Sequence, residues 1–244
     1  MQDDFSWVKD KSIRDKVTEQ YRHIRAIMQS DAVNDARFEI FKKFDMPSVA
    51  NMLGIDVGRD EKTGLPSIDL DNRQQLEILL DYAMMFDDSE GRPIRYKFIA
   101  AYKESDKESL REMCKYLSNY QYAWLRPLKV KTGFGLCCED LLTRRRMFLV
   151  DKGFSQTLAQ IRNMVLFTGI HPFGDPELGC VMTGGAGMPV VDNDLETALE
   201  KILIALKIEK RPPFDLDEKE LARFVAASVN QAIRAGGSDF VRYE

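Results

Sequence analysis

Apolar residues follow a helical period through the first half of the chain and change to short alternating runs near residue 121. In SIRDKVTEQYRHIRAIM, Ile13, Val17, Tyr21, Ile24 and Met28 recur at spacings of three and four, which places them on one face of a helix. AVNDARFEIFKKF continues with Phe38, Phe41 and Phe44, and DMPSVANMLG supplies a cap, an early proline and a closing Gly54. Residues 56–71, DVGRDEKTGLPSIDLD, are polar and aperiodic and predict an exposed loop. Its aspartates lack the order of an EF-hand loop, so no calcium site is expected there. Asp71 then caps NRQQLEILLDYAMMF, whose Leu76, Ile78, Leu79, Tyr82, Met85 and Phe86 predict a strongly amphipathic helix. Two more helices are expected in PIRYKFIAAYK and KESLREMCKYLSNY, the latter carrying Cys114 on its apolar side.

From Gln121 the runs YAWLRPLKV, GFGLCCEDLL, RRMFLVDK, NMVLFTGI and GCVMTGGAGMPV are separated by turn-forming residues and predict successive antiparallel strands. Helical spacing returns after Val191 in NDLETALEKILIALKIEK and in LARFVAASVNQAI, which ends at Gly236 and Gly237. The expected fold is therefore α+β. A helical region spans residues 1–120, a small antiparallel β-barrel-like module spans 121–191, and C-terminal helices at 192–244 pack with the helical region.

Composition narrows the classes of function. A hydrophobic fraction of 44% and a charged fraction of 30% describe an ordinary folded protein. The formal net charge of -4 excludes a whole-surface attraction to polyanions and leaves room only for a local basic patch. No run approaches the roughly 18–20 apolar residues of a membrane span, and the charged N-terminus lacks the apolar stretch of a signal peptide, so a cytoplasmic location is expected. Four cysteines without a C-x-x-C pair, and only His23 and His171, give no basis for a metal or cofactor site.

The stretch GFGLCCEDLLTRRRMFLVDKGFSQT holds most of the candidate chemistry. Arg144, Arg145 and Arg146 are expected at the tip and start of a hairpin, and with Lys131 and Lys152, and Lys129 beside them, they form a candidate phosphate-binding edge. Trp124, Phe134, Phe148 and Phe154 are available for base stacking; the favoured reading, however, is that charged tips and edges keep these strands from pairing with other chains. Cys137 and Cys138 point to opposite faces of a strand, so only one is expected to be buried, and the carboxylates of Glu139 and Asp140 next to them disfavour a thiolate. Ser155 in GFSQT lacks the closing glycine of a nucleophile elbow, and its hydroxyl is expected to bond to backbone in a turn or cap. TGGAGMP lacks the lysine and hydroxyl residue of a P-loop.

Asp140-Leu141-Leu142-Thr143, Val150-Asp151-Lys152 and Ser155-Gln156-Thr157, following Gly133 and Gly135, together with Asp81-Tyr82, Phe86 and Gly91-Arg92 upstream, give the chain a recognisable order of parts. In that order it resembles a group of uncharacterised bacterial proteins of the SEC-C-associated type, over about residues 75–190. The resemblance implies a helical segment leading into a β-rich block and supplies no catalytic residues. Arg144 stands where the group carries a turn glycine, and the cysteine-rich SEC-C tail is missing, so no zinc is implied. The leading expectation for function is a non-enzymatic interaction or regulatory protein with a macromolecular partner and no membrane association. The alternatives are nucleic-acid binding through the basic hairpin edge, and a thiol-dependent enzyme using Cys137 or Cys138 with His171.

Overall fold

The computed structural model describes residues 5–42, 45–68, 79–80, 83–84, 94–158, 164–184, 188–191, 202–204 and 218–234. Most of the helix expected at 72–86, most of the helix expected after Asp194, and the motif residues Asp81, Tyr82, Phe86, Gly91 and Arg92 lie outside the described residues.

A 3-10 turn at Phe5–Lys9 leads into helix α1, Lys11–Met28. Asp10 caps α1, its Oδ1 accepting the amides of Ser12 and Ile13, which satisfies donors that the first helical turn otherwise leaves open. Val17 and Met28 are buried and Ile13, Tyr21 and Ile24 are half-buried along the expected stripe. Helix α2, Asp31–Phe41, buries Val33, Ala36, Ile40 and Phe41. Phe38, which the pattern placed with the apolar set, is 60% exposed instead, and the ammonium of Lys42 sits 4.6 Å from its ring centroid. Helix α3, Met46–Leu53, begins at the Asp45 cap and ends at Gly54, whose φ of 78° suits a residue without a Cβ.

The segment expected to be loop contains a short antiparallel hairpin, β1 at Val57–Arg59 and β2 at Pro66–Ile68. Asp60 builds its turn by accepting the amides of Lys62 and Thr63 and the Thr63 hydroxyl; a local carboxylate substitutes there for hydrophobic periodicity, which is why the pattern missed it. Helices α4, Ile94–Tyr102, and α5, Glu108–Ser118, follow, with Cys114 buried beside Leu110, Met113 and Leu117.

Six strands come next: β3, Gln121–Lys131; β4, Gly135–Asp140; β5, Arg146–Val150; β6, Met164–Pro172; β7, Cys180–Thr183; and β8, Met188–Val191. β3, β4 and β5 form an antiparallel meander, β6 returns to lie antiparallel beside β3, and β7 closes the wall by pairing antiparallel with β6 and parallel with β5. The result is a closed five-stranded barrel, with β8 extending the sheet along β6. β7 departs from the expected antiparallel order by running parallel to β5, a non-local pairing that neither strand's own sequence signals, and two further details depart from expectation. The last apolar run divides at Gly184 into β7 and β8, and the GFSQT segment forms helix α6, Lys152–Leu158, between β5 and β6.

The barrel interior is a separate apolar cluster of Ala123, Leu125, Leu136, Cys138, Met147, Leu149, Leu166, Ile170 and Val181, joined by Phe154 from α6. Residues of opposite parity on the same strands, including Tyr122, Trp124, Phe148, Phe167 and Met182, face outward into a second cluster shared with the N-terminal helices and with helix α7, Glu218–Arg234. Both faces of the wall are therefore buried over much of its surface. The outer side of β3, β4 and β5 near Arg126, Lys129, Glu139 and Arg146 is left half-buried or exposed.

Candidate functional site

Cross-strand register decides which side chains share a face. On β3, β4 and β5, Arg126 lies opposite Glu139, and Glu139 lies opposite Arg146. The next outward row is Lys129, Cys137 and Phe148, and the one after is Lys131, Gly135 and Val150. Phe134 stands in the turn that joins β3 to β4, half-buried, with its ring centroid 5.4 Å from that of Phe148. One barrel face thus carries cations at the β4–β5 end and aromatic rings toward the β3–β4 turn.

The five basic residues singled out from the sequence are not gathered into one patch. Arg144 and Arg145 sit in the turn between β4 and β5, and Arg146 starts β5; all three are exposed. Lys131 and Lys152 lie at the opposite end of these strands, four residues of β5 away, or about 13 Å. Arg126 and Lys129 connect the two ends along β3, and sequence reading did not place Arg126 in the set.

Among the described motif residues, Asp140, Thr143, Asp151 and Ser155 hold the backbone together. Asp140 Oδ1 accepts the amides of Trp124 and Leu142, and Oδ2 accepts the amide and hydroxyl of Thr143. The D-L-L-T element is therefore a buried aspartate turn that also clamps β3. Burial raises the Asp140 carboxyl above the ordinary carboxylate range against the pull of those four bonds. Asp151 caps α6 through the amide of Phe154 and accepts the Thr183 hydroxyl, and burial raises it also, against the influence of Arg25 among others. Ser155 is fully buried; its hydroxyl donates to the Lys152 carbonyl and accepts the Gly133 amide, tying α6 to the β3–β4 turn. That is a backbone-bonding role, as expected, and leaves the hydroxyl badly placed for nucleophilic attack.

Arg144 adopts φ 57°, the left-handed region in which a side chain clashes with the following carbonyl. Arg144→Gly is expected to raise the unfolding free energy by roughly 0.5–1 kcal/mol, the relieved strain exceeding the added chain entropy of glycine. Urea melts should show a higher midpoint at unchanged slope; a lower midpoint would mean that the arginine side chain holds the turn in some other way.

The thiol arrangement is dispersed. Cys138 is inside the barrel and burial raises its pKa; burial likewise pushes Cys114 up to about 11 and Cys180 to about 12. Cys137 is half-buried on the outer wall, as the alternation predicts for one of the pair. His171 on β6 is 8% exposed, packs its ring 4.0 Å from that of Tyr116, and is lowered to about 4 by burial. β5 and β7 stand between Cys137 and His171 round one side of the wall, and on the other side the length of β3 separates Lys129, opposite Cys137, from Gln121, next to the His171 level. A cysteine–histidine pair is not assembled. Among the described residues there is no group of three or more His, Cys, Asp or Glu that could hold a metal, and no helix long and apolar enough to cross a membrane.

No family model, curated protein or solved structure matches the chain.

Proposed function

We propose that this is a non-enzymatic bacterial protein of the cytoplasm whose barrel binds single-stranded nucleic acid across the outer face of β3, β4 and β5. The observation that carries this reading is the shared face itself: Arg126 and Arg146 flank Glu139 in one cross-strand row, Lys129 and Lys131 follow in the next two outward rows, and Phe148 in the Lys129 row meets Phe134 of the adjoining turn. Cations that track a backbone beside rings that stack bases are the working parts of sequence-tolerant single-strand sites.

The connectivity supports the same reading. Three hairpin-connected strands with a fourth returning beside the first make a Greek key. OB-fold barrels, five-stranded and Greek-key, bind oligonucleotides and oligosaccharides on the face of their second and third strands and in the loops joining strands one to two and four to five. The equivalent parts here are β4 and β5, the turn at 132–134, and the loop at 173–179. Residues 121–150 contain six cations (Arg126, Lys129, Lys131, Arg144, Arg145 and Arg146) against the carboxylates of Glu139 and Asp140, and Asp140 is 3% exposed. With a chain charge of -4 the attraction is confined to this face, which favours a modest affinity.

Anisotropy titrations of a labelled single strand of about 15 nucleotides test the proposal. Three to four phosphate contacts give a slope of log affinity against log salt of about -2 to -3. Arg126→Ser with Arg146→Ser is expected to reduce the magnitude of that slope by about 1.4 and to weaken all sequences alike. Absence of binding at low salt, or an affinity indifferent to salt, would sink the proposal.

A further inference from the structure

The aromatic end of this face already has an occupant. Phe5 and Trp7, from the 3-10 turn at the start of the described chain, place their ring centroids 6.0 Å and 5.1 Å from that of Phe148, and Trp7 meets Phe134 edge-on at 6.1 Å. The Trp7 indole Nε1–H donates to the Leu178 carbonyl, 3.1 Å away in the loop between β6 and β7. Phe5 lies against Gly179 in the same loop, where an added Cβ would sit 3.4 Å from its ring. The segment therefore spans the β3–β4 turn, the outer wall at Phe148 and the β6–β7 loop. These are the places at which a ligand would be held if the barrel binds as proposed.

The segment is thinly secured. No residue from Phe5 to Lys9 is fully buried, yet Phe148 beneath it is only 2% exposed. Among the described residues, the ties of this segment outside its own turn include, besides the indole bond, the Arg14 guanidinium donating to the Val8 carbonyl and the Asp10 amide donating to the Trp7 carbonyl, both local in sequence.

Resting on the nucleic-acid reading of the face, we infer that Phe134 and Phe148 form a base-stacking subsite which the chain's own Trp7 fills, and that an unstacked base of the bound strand displaces it. An indole is the side chain closest to a purine in breadth and flatness, and it offers one N–H to a loop carbonyl as a base edge can. Exchanging indole for base trades one set of ring contacts and one hydrogen bond for another, so the two occupants compete on nearly equal terms. A site that is open only part of the time binds with an affinity reduced by that open fraction, so loosening the internal occupant tightens external binding.

The test uses the full chain with Trp7→Ala, Trp7→Phe and Phe134→Ala, titrated with the same labelled single strand at one low salt concentration, with thermal melts confirming that each variant is folded. Trp7→Ala is expected to bind about fivefold to tenfold more tightly than the parent, and Phe134→Ala at least about fivefold more weakly. Trp7→Phe keeps a ring but loses the bond to Leu178, so it should shift in the same direction as Trp7→Ala by less; it decides the question if Trp7→Ala does not fold. Because Trp124 is fully buried, a red shift of emission at saturation would report Trp7 leaving its place. If the parent binds and the Trp7 variants bind equally well or more weakly, the displacement idea is overturned while the nucleic-acid function stands. If neither parent nor variants bind, the function falls and the subsite falls with it.

Discussion

Trp124→Ala is expected to lower the unfolding free energy by about 3–5 kcal/mol, the range for truncating a large buried aromatic. Trp124 is fully buried on the outer wall of β3, its ring centroid 5.8 Å from that of Phe167 on β6. Its Nε1–H donates to the Ser228 hydroxyl, and that hydroxyl donates in turn to the Phe224 carbonyl within α7. The indole therefore joins the barrel to the C-terminal helix, whose Phe224, Val225, Ser228 and Val229 are all buried. Removing it leaves a cavity between a closed barrel wall and a packed helix, neither of which can easily collapse into it.

Two controls separate packing from hydrogen bonding. Ser228→Ala removes the acceptor and leaves the buried Trp124 N–H without a partner, so it should cost about 1–3 kcal/mol. Trp124→Phe keeps much of the volume and should fall between that loss and the alanine value. Denaturant midpoints at constant slope give these differences. A loss below about 1 kcal/mol for Trp124→Ala would mean that α7 does not depend on this contact for its seat on the barrel.

Periodicity carried the fold wherever it was long enough to read. The stripe on α1 and the alternation along β3 to β5 follow directly from side-chain spacing, and Cys138 inside with Cys137 outside is the simplest case. Helix α6 escaped because its seven residues span too few turns to show a period, and because its start is set by the Asp151 cap. The parallel closure of β5 onto β7 is non-local and has no signature in either strand.

Arg126 was left out of the expected basic edge for a more specific reason. β3 shifts register between Pro127 and Lys129, so parity counted from Arg126 would turn Lys129 inward, whereas the bulge turns it outward beside Cys137. One extra residue thus decides whether Arg126 and Lys129 share a surface. Trp7 offered no signal at all, since the loop carbonyl it bonds is 171 residues away in sequence. Chain-wide charge was informative only in a negative sense: at -4 it leaves room for no more than a local patch, and the register sets Arg126 and Arg146 on either side of Glu139.

Gly135→Ala is the second large effect, expected to cost about 3 kcal/mol or more, at or above the upper end of the usual penalty for forcing extra volume into a packed site. Gly135 pairs with Lys131 on one side and Val150 on the other, so it is enclosed between two strands. An added Cβ would stand 2.2 Å from the Leu149 carbonyl oxygen and 2.7 Å from Cε1 of Phe148. The phenyl ring could turn, but the carbonyl belongs to β5 itself and can move only by separating β4 from β5. Gly58→Ala is the matched control: a Cβ there meets nothing within 4 Å, so its effect should stay within about 0.5 kcal/mol. If Gly135→Ala melts like the parent, β4 and β5 do not hold this register, and the shared basic face that depends on it would have to be abandoned.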